Sequence, residues 1–173
     1  MARCGRRWGQ RPWLGVLWLV LSAMPALAMA AGTRCEIALS AEAGGVHRFQ
    51  VELAQTPEEQ SQGLMYRESL EVGHGMLFVM PIERRTAMWM KDTLIALDMA
   101  FFDSAGTLVH LEQRAEPHSL RHVGPEVPVR YVLEVNAGEA DSLRHGGPWR
   151  LDLPALAGCL SLRATSPAGP LDP

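Results

Sequence analysis

Apolar and polar residues alternate most cleanly at residues 48–53, where Phe49, Val51 and Leu53 interleave with Arg48, Gln50 and Glu52. This period of two marks a strand with one buried face. Residues 35–39 predict a preceding strand, separated from the first by Ala43-Gly44-Gly45. A helix start follows, with Thr56 as N-cap, Pro57 at the first helical position, and Glu59 completing a capping box. This helix is expected to end near Arg67, with Leu64 and Met65 facing inward. Residues 75–80 form a continuous apolar run stopped by Pro81, the mark of a buried strand. Residues 86–90 predict another strand, turning at Lys91-Asp92-Thr93. Residues 97–102 lead into a hairpin turn at 103–106, and 107–113 return from it. The stretch 116–128 carries three prolines, a glycine and two histidines and reads as a long irregular loop. Residues 130–135 predict a strand and 139–144 a short helix ended by Gly146-Gly147. Residues 149–153 and 159–163 read as final strands. The fold class is mainly β, sandwich-like and mostly antiparallel, with one or two short helices.

The first thirty residues follow a different logic. Arg3, Arg6, Arg7 and Arg11 precede an apolar stretch at 13–21, and small residues follow at Ala26, Ala28, Ala30 and Ala31. That order predicts a signal peptide over 1–30, cleaved after Ala28 or Ala30, and export to the periplasm or beyond. An uncleaved anchor is the alternative, because apolar character persists to Ala31. The twin-arginine route fits less well, since Trp-Gly-Gln follows Arg6-Arg7. A single domain is expected over 31–164 and a disordered tail over 165–173, where three of nine residues are proline.

Removing the leader changes the charge. Sixteen basic residues less four leave 12 against 19 acids, a net of −7. Such a chain is unsuited to nucleic acid or to anionic membranes, and meets a membrane only if the leader is retained. Cys4 departs with the leader, so Cys35 and Cys159 remain, and one pair in an exported chain suggests a disulfide closing most of the domain. Two free thiols, or a redox or metal pair, are the alternatives, and neither shows the usual C-x-x-C spacing.

Lys91 is the one lysine of the chain and lies within an apolar setting. Arg67, Lys91, Asp92, Asp98 and Glu134 all fall among core-type residues, and charges there must be paired, satisfied or functional. With Trp89 and Thr93 beside Lys91, they form the candidate ligand-binding set. A lysine with its pKa lowered by apolar neighbours is a base or nucleophile, and Arg67 suits a carboxylate or phosphate. Ion pairs joining Arg67 or Lys91 to Asp98 or Glu134 would account for the same residues structurally. Trp89 is a stacking surface or a core residue. Met65, Met76, Met80, Met88, Met90 and Met99, with His74, have the softness that Cu(I) prefers, but thioethers also fill irregular cores, which is the better reading. His118 and His122 are four apart among Pro117, Gly124 and Pro125, so they read as loop rather than a zinc helix, and His47, His110 and His145 are scattered. No nucleophile elbow, H-E-x-x-H or P-loop occurs, so no cofactor or metal is implied.

Several blocks occur in a fixed order: Leu53 to Gln60, Gly63-Leu64-Met65-Tyr66-Arg67, Gly75-Met76-Leu77-Phe78, Trp89-Met90-Lys91-Asp92-Thr93, Leu97 to Phe101, and Tyr131 to Gly138. Together they closely resemble the family called domain of unknown function 192, over roughly residues 36–160. The resemblance implies a small sandwich-like β domain, often exported, with no settled activity. Where the family reads Phe-Trp-Met-Lys-Asn-Thr and then Ile-Pro-Leu-Asp, this chain has Met88, Asp92 and Ala96, and Met80 stands where Phe is common. The expected role is that of an envelope accessory module binding a small ligand or a protein partner near Lys91. The alternatives are a hydrolase or transferase using Lys91 with Asp98 or Glu134, and a purely structural or interaction domain.

Overall fold

The computed structural model describes residues 34–165. The expected leader and residues 166–173 of the expected tail lie outside the described residues. Seven strands form one sheet: β1 (Arg34–Ala41), β2 (Val46–Ala54), β3 (His74–Arg84), β4 (Leu97–Phe102), β5 (Leu108–Ala115), β6 (Val129–Asn136) and β7 (Trp149–Leu151). Helix α1 (Pro57–Gln62) follows β2, a 3-10 turn (Asp141–Arg144) follows β6, and α2 (Leu153–Thr165) ends the described chain. No helix among the described residues is long and apolar enough to cross a membrane.

The strand order is β5-β4-β6-β3-β2-β1-β7, and every neighbouring pair is antiparallel except β2 and β3. This corrects the sandwich expected from sequence: the strands belong to one mixed sheet rather than two stacked ones. The parallel pair arises because residues 55–73 leave the end of β2 and return the chain to start β3 beside its middle, where His74 pairs with Gln50. Parallel neighbours need a connection of about that length.

The sheet curls into a half-barrel until its edges meet. Thr107, just before β5, bridges Arg150 of β7, and the Leu151 N–H donates to the Gly106 carbonyl at 2.8 Å. Gly106 has φ +77, and a Cβ there would lie 2.9 Å from the Leu151 carbonyl oxygen, so this closure needs glycine. Ile37 and Leu39 of β1, Val51 of β2, Leu77 of β3, Phe102 of β4, Leu133 of β6 and Trp149 of β7 join in a core on the concave face. A second core on the convex face draws on Met76, Phe78 and Met80 of β3, Met99 and Phe101 of β4, and Val132 of β6, with Leu64 and Met90 from the connections. Strands β3, β4 and β6 are therefore buried on both faces, which explains the unbroken apolar run at 75–80. Each fully buried Phe, Leu or Met contributes about 1.5–3 kcal/mol.

The capping box forms as expected. The Thr56 hydroxyl accepts from the Glu59 N–H at 3.2 Å, and a Glu59 carboxylate oxygen accepts from the Thr56 N–H at 3.0 Å. Burial raises the Glu59 carboxyl, but the Gln55 and Thr56 N–H groups and the Arg163 guanidinium outweigh it and hold the group below its ordinary range. The stretch 159–163 is helix rather than strand. Asp152 caps α2, its carboxylate accepting from the Ala155 N–H at 3.0 Å. Leu156, Cys159 and Leu160 then pack on the concave core at helical spacing. Residues 86–90 form no strand either, and contribute only a bridge from Met88 to Val123.

Cys35 of β1 and Cys159 of α2 are disulfide-bonded, 124 residues apart with Cα atoms 5.8 Å apart. The bond ties α2 to the concave core. Closing a loop that long restricts the unfolded chain by about 4–5 kcal/mol in the chain-entropy model. Urea unfolding of the Cys35→Ser/Cys159→Ser variant is expected to show a loss of about that size. A non-reducing mass two protons above the disulfide form would show the bond to be unformed.

Candidate functional site

The convex face of β3, β6 and β4 is covered by irregular segments that interlock through backbone hydrogen bonds. Gly63 ends α1 at φ +50, and a Cβ there would stand 3.2 Å from the Phe78 ring. Of the four residues with side chains that adopt the left-handed region among the described residues, three lie in this cover: Tyr66 (φ 63), Asp92 (φ 52) and His118 (φ 60). They meet at one turn. The Tyr66 N–H donates to the Asp92 carbonyl at 2.9 Å, the His118 N–H to the Thr93 carbonyl at 3.2 Å, and the Met90 N–H to the Ser119 carbonyl at 2.9 Å. Strained residues of this kind gather where surrounding structure over-determines them, and often at functional sites. The family's Asn and this chain's Asp92 share a physical reason, since both tolerate the left-handed region better than most residues.

Beneath this cover lies a cleft of about 110 Å³ whose walls include Gly63, Leu64, Phe78, Met88, Trp89 and Thr93. Glu134 of β6 is the one ionisable side chain among the described residues lining it. Its Cα neighbours across the sheet are Met76 and Met99, both in the convex core. Glu134 is only 4 % exposed, and its carboxyl has no hydrogen-bond or ion-pair partner among the described residues. Burial without compensation pushes its pKa up to about 8. Nearly all buried polar groups in folded proteins are partnered. A buried carboxyl left open to a cleft is therefore the strongest functional signal in the molecule.

The other candidate residues divide. Thr93 is buried in the cleft wall, and its hydroxyl donates to the Lys91 carbonyl at 3.3 Å, which leaves its lone pairs free to accept. Trp89 lines the same cleft and is 44 % exposed, so it is not a core residue. Lys91 is exposed on the turn, with its ammonium 5.6 Å from the Trp89 ring centre. Asp92 accepts from the Tyr66 hydroxyl at 3.1 Å, which holds that phenol above its ordinary range.

Arg67 and Asp98 stand apart from the cleft. Arg67 forms a two-pronged bond to Glu52 at 2.6 Å per prong. That bond holds the Glu52 carboxyl below its usual range and raises the guanidinium further. The pair is about a third exposed on each side, so its contribution is roughly 1 kcal/mol. It borders a second cavity of about 160 Å³ that shares Gln62 and Gly63 with the Glu134 cleft. Glu52 was not among the sequence candidates, because it reads as the solvent face of β2. Asp98 is fully buried and saturated: its oxygens accept from the N–H groups of Arg114 at 2.8 Å, Gly138 at 2.8 Å and Ala140 at 3.1 Å. It organises the bulge in β5 and the turn after β6. Gln60 and Phe78, which also line the cleft, carried no sequence signal beyond their place in the matching blocks, and Gln62 carried none.

A curled seven-stranded sheet with a loop-covered convex face and one unpartnered acid beneath the cover defines a small half-barrel β domain. The chain belongs to the DUF192 family, described as an uncharacterized ACR, whose model matches residues 39–146. It is similar to the crystal structure of a protein of Sinorhizobium meliloti 1021 described as a candidate transcription regulator, at 40 % identity and a TM-score of 0.65, covering 69 % of this chain and 92 % of that one. It is also similar to a protein of unknown function from Novosphingobium aromaticivorans DSM 12444, at 29 % identity and a TM-score of 0.66, covering 76 % and 94 % of the two chains. No curated protein matches the chain.

Two outcomes follow from the contrast between the buried acids. Glu134 titrates near 4.5 in the unfolded chain and near 8 in the folded one, so the native state holds the extra proton between those values. Stability from this group is therefore undiminished below about pH 4.5 and is lost as pH rises to about 8, by on the order of 5 kcal/mol in all. The difference in unfolding free energy between the native protein and Glu134→Gln, measured from about pH 5 to 9, should fall accordingly. A flat difference would show that the carboxyl has a partner. Asp98→Ala, which strands three backbone N–H groups, should cost about 3 kcal/mol or more.

Proposed function

We propose that this protein is an exported binding module of the cell envelope, whose ligand site is the cleft at Glu134. The observation that carries this reading is the carboxyl itself: buried at 4 % exposure, unpartnered, and opening into a cleft walled by family blocks from four parts of the chain. A fold maintains such a group against its desolvation cost only if something else compensates, and a bound ligand is the simplest compensation. The cleft of about 110 Å³ is well under the range of drug-sized sites, so it takes a single functional group or the tip of a larger ligand. Walls that set Leu64, Phe78 and Met88 beside Gln62, Thr93 and Glu134 suit a ligand that is part apolar and part hydrogen-bonding.

Export is supported by the leader pattern and by the disulfide, which persists in oxidising compartments. The net charge of −7 after leader removal (12 basic against 19 acidic residues) disfavours a nucleic-acid role, despite the description of the S. meliloti relative. Lys91 takes part at the mouth, and Arg67 and Asp98 hold the surrounding frame.

A thermal-shift screen of small polar-apolar compounds should find ligands that raise the melting temperature of the native protein and lose that effect in Glu134→Gln. Hits that stabilise both proteins equally would place binding elsewhere. Lys91→Met should alter melting by less than about 0.5 kcal/mol equivalent, as for an exposed side chain. A large loss would make Lys91 a structural residue.

A further inference from the structure

Building on that reading of the cleft, we propose that its ligand carries a primary alkylammonium group, with Glu134 as counter-ion, Thr93 as a hydrogen-bond acceptor and Trp89 covering the charge at the mouth. Three observations select this chemistry. The first is charge: no basic side chain is found among the described residues lining the cleft, whether from α1, the turn at 63–65, β3, residues 87–93 or β6. Lys91 and Asp92 flank it from the turn outside. A carboxylate or phosphate ligand would meet an acid and no cation among the lining side chains, whereas a cation meets its complement. The second is acceptor geometry. The Thr93 hydroxyl spends its proton on the Lys91 carbonyl, so toward the cleft it offers lone pairs, as a carboxylate does. An ammonium has three donors and no acceptor, which matches the Glu134 carboxylate and the Thr93 hydroxyl as acceptors. The third is the ring: Trp89 already receives an ammonium, that of Lys91 at 5.6 Å, and Lys91 is exposed and can be displaced. The methionine and phenylalanine walls then accommodate the alkyl part.

The proton balance is simple. The ligand enters as R–NH3+, the protonated Glu134 carboxyl gives its proton to solvent, and the resulting carboxylate pairs with the ammonium. Binding near neutral pH thus releases one proton. A carboxylate ligand would retain or take up a proton, and a neutral ligand would exchange none.

Calorimetric titration of the purified protein at pH 7 separates these cases, using butylammonium, butyrate and butanol in two buffers of different ionisation enthalpy. The expected result is saturable butylammonium binding at least tenfold tighter than that of butanol, with close to one proton released. Glu134→Gln should weaken butylammonium at least tenfold and leave butanol unchanged. Trp89→Leu, at an exposed position, gives a second variant and should weaken butylammonium severalfold. Nα-acetyl-lysine amide, titrated in parallel, distinguishes an amine that arrives on a protein side chain from a free one, and its binding or that of butylammonium supports the proposal. Tighter binding of butyrate or butanol that remains sensitive to Glu134→Gln would overturn the ammonium class and leave the cleft as a binding site. Amine binding without proton release, or unaffected by Glu134→Gln, would overturn the assignment of Glu134 as counter-ion. If none of the probes binds, the ammonium proposal fails, and the separate thermal-shift screen decides whether the cleft binds anything.

Discussion

Curling seven strands until β5 and β7 touch fills the concave face with side chains from nearly every strand, and it leaves the convex face of the three central strands bare. That constraint organises the rest of the molecule. A second sheet would have covered the bare face, as in a sandwich. Here the cover is made from α1, the turns after it, residues 85–96 and the proline-rich stretch 116–128. Such segments cannot satisfy their backbone groups by ladder pairing, so they bond to one another at Tyr66–Asp92, Met90–Ser119 and His118–Thr93. Three residues take left-handed conformations to make those bonds.

An irregular cover does not seal a sheet as another sheet would. The gap it leaves lies over β6, where the period of two places Glu134 on the same face as Val132, while Leu133 and Val135 face the concave core. An apolar residue at 134 would close this gap and remove a desolvation cost. That the position instead holds an acid flanked by Met76 and Met99 is what ties the architecture to function. The family blocks fall on both the covering segments and strands β3, β4 and β6 beneath them, so fold and candidate site draw on the same residues.

Much of this was legible in the chain, for local reasons. The capping box at Thr56 and Glu59, the alternation at 48–53, the buried run at 75–80 and the hairpin turn at 103–106 each depend on neighbours in sequence, and each forms where the pattern puts it. The mostly antiparallel expectation holds, with β2 and β3 the one parallel pair among the named strands, but a period of two does not say which strands share a sheet, so the single curled sheet was not legible. Helix α2 was missed although its signals were present: Asp152 as cap, and Leu156, Cys159 and Leu160 at helical spacing. A short apolar stretch carrying a cysteine reads equally well as a strand. Partners across the fold were equally hidden, and Glu52, the mate of Arg67, lies fifteen residues away on a strand face that looks solvated.

The same limit explains why Lys91 drew notice ahead of Glu134. Rarity and an apolar setting made the lysine conspicuous, but it sits on the turn that the pattern predicts, where a long side chain reaches solvent easily. Asp98 and Glu134 are the more instructive pair. Each is a single acid within a buried strand, and no pattern in the sequence separates them. Three backbone N–H groups, contributed by a bulge and a turn, meet the Asp98 carboxylate, so its charge is spent on holding the chain. Nothing among the described residues meets Glu134, and only that difference in partners distinguishes an acid that builds the fold from one that is free to bind.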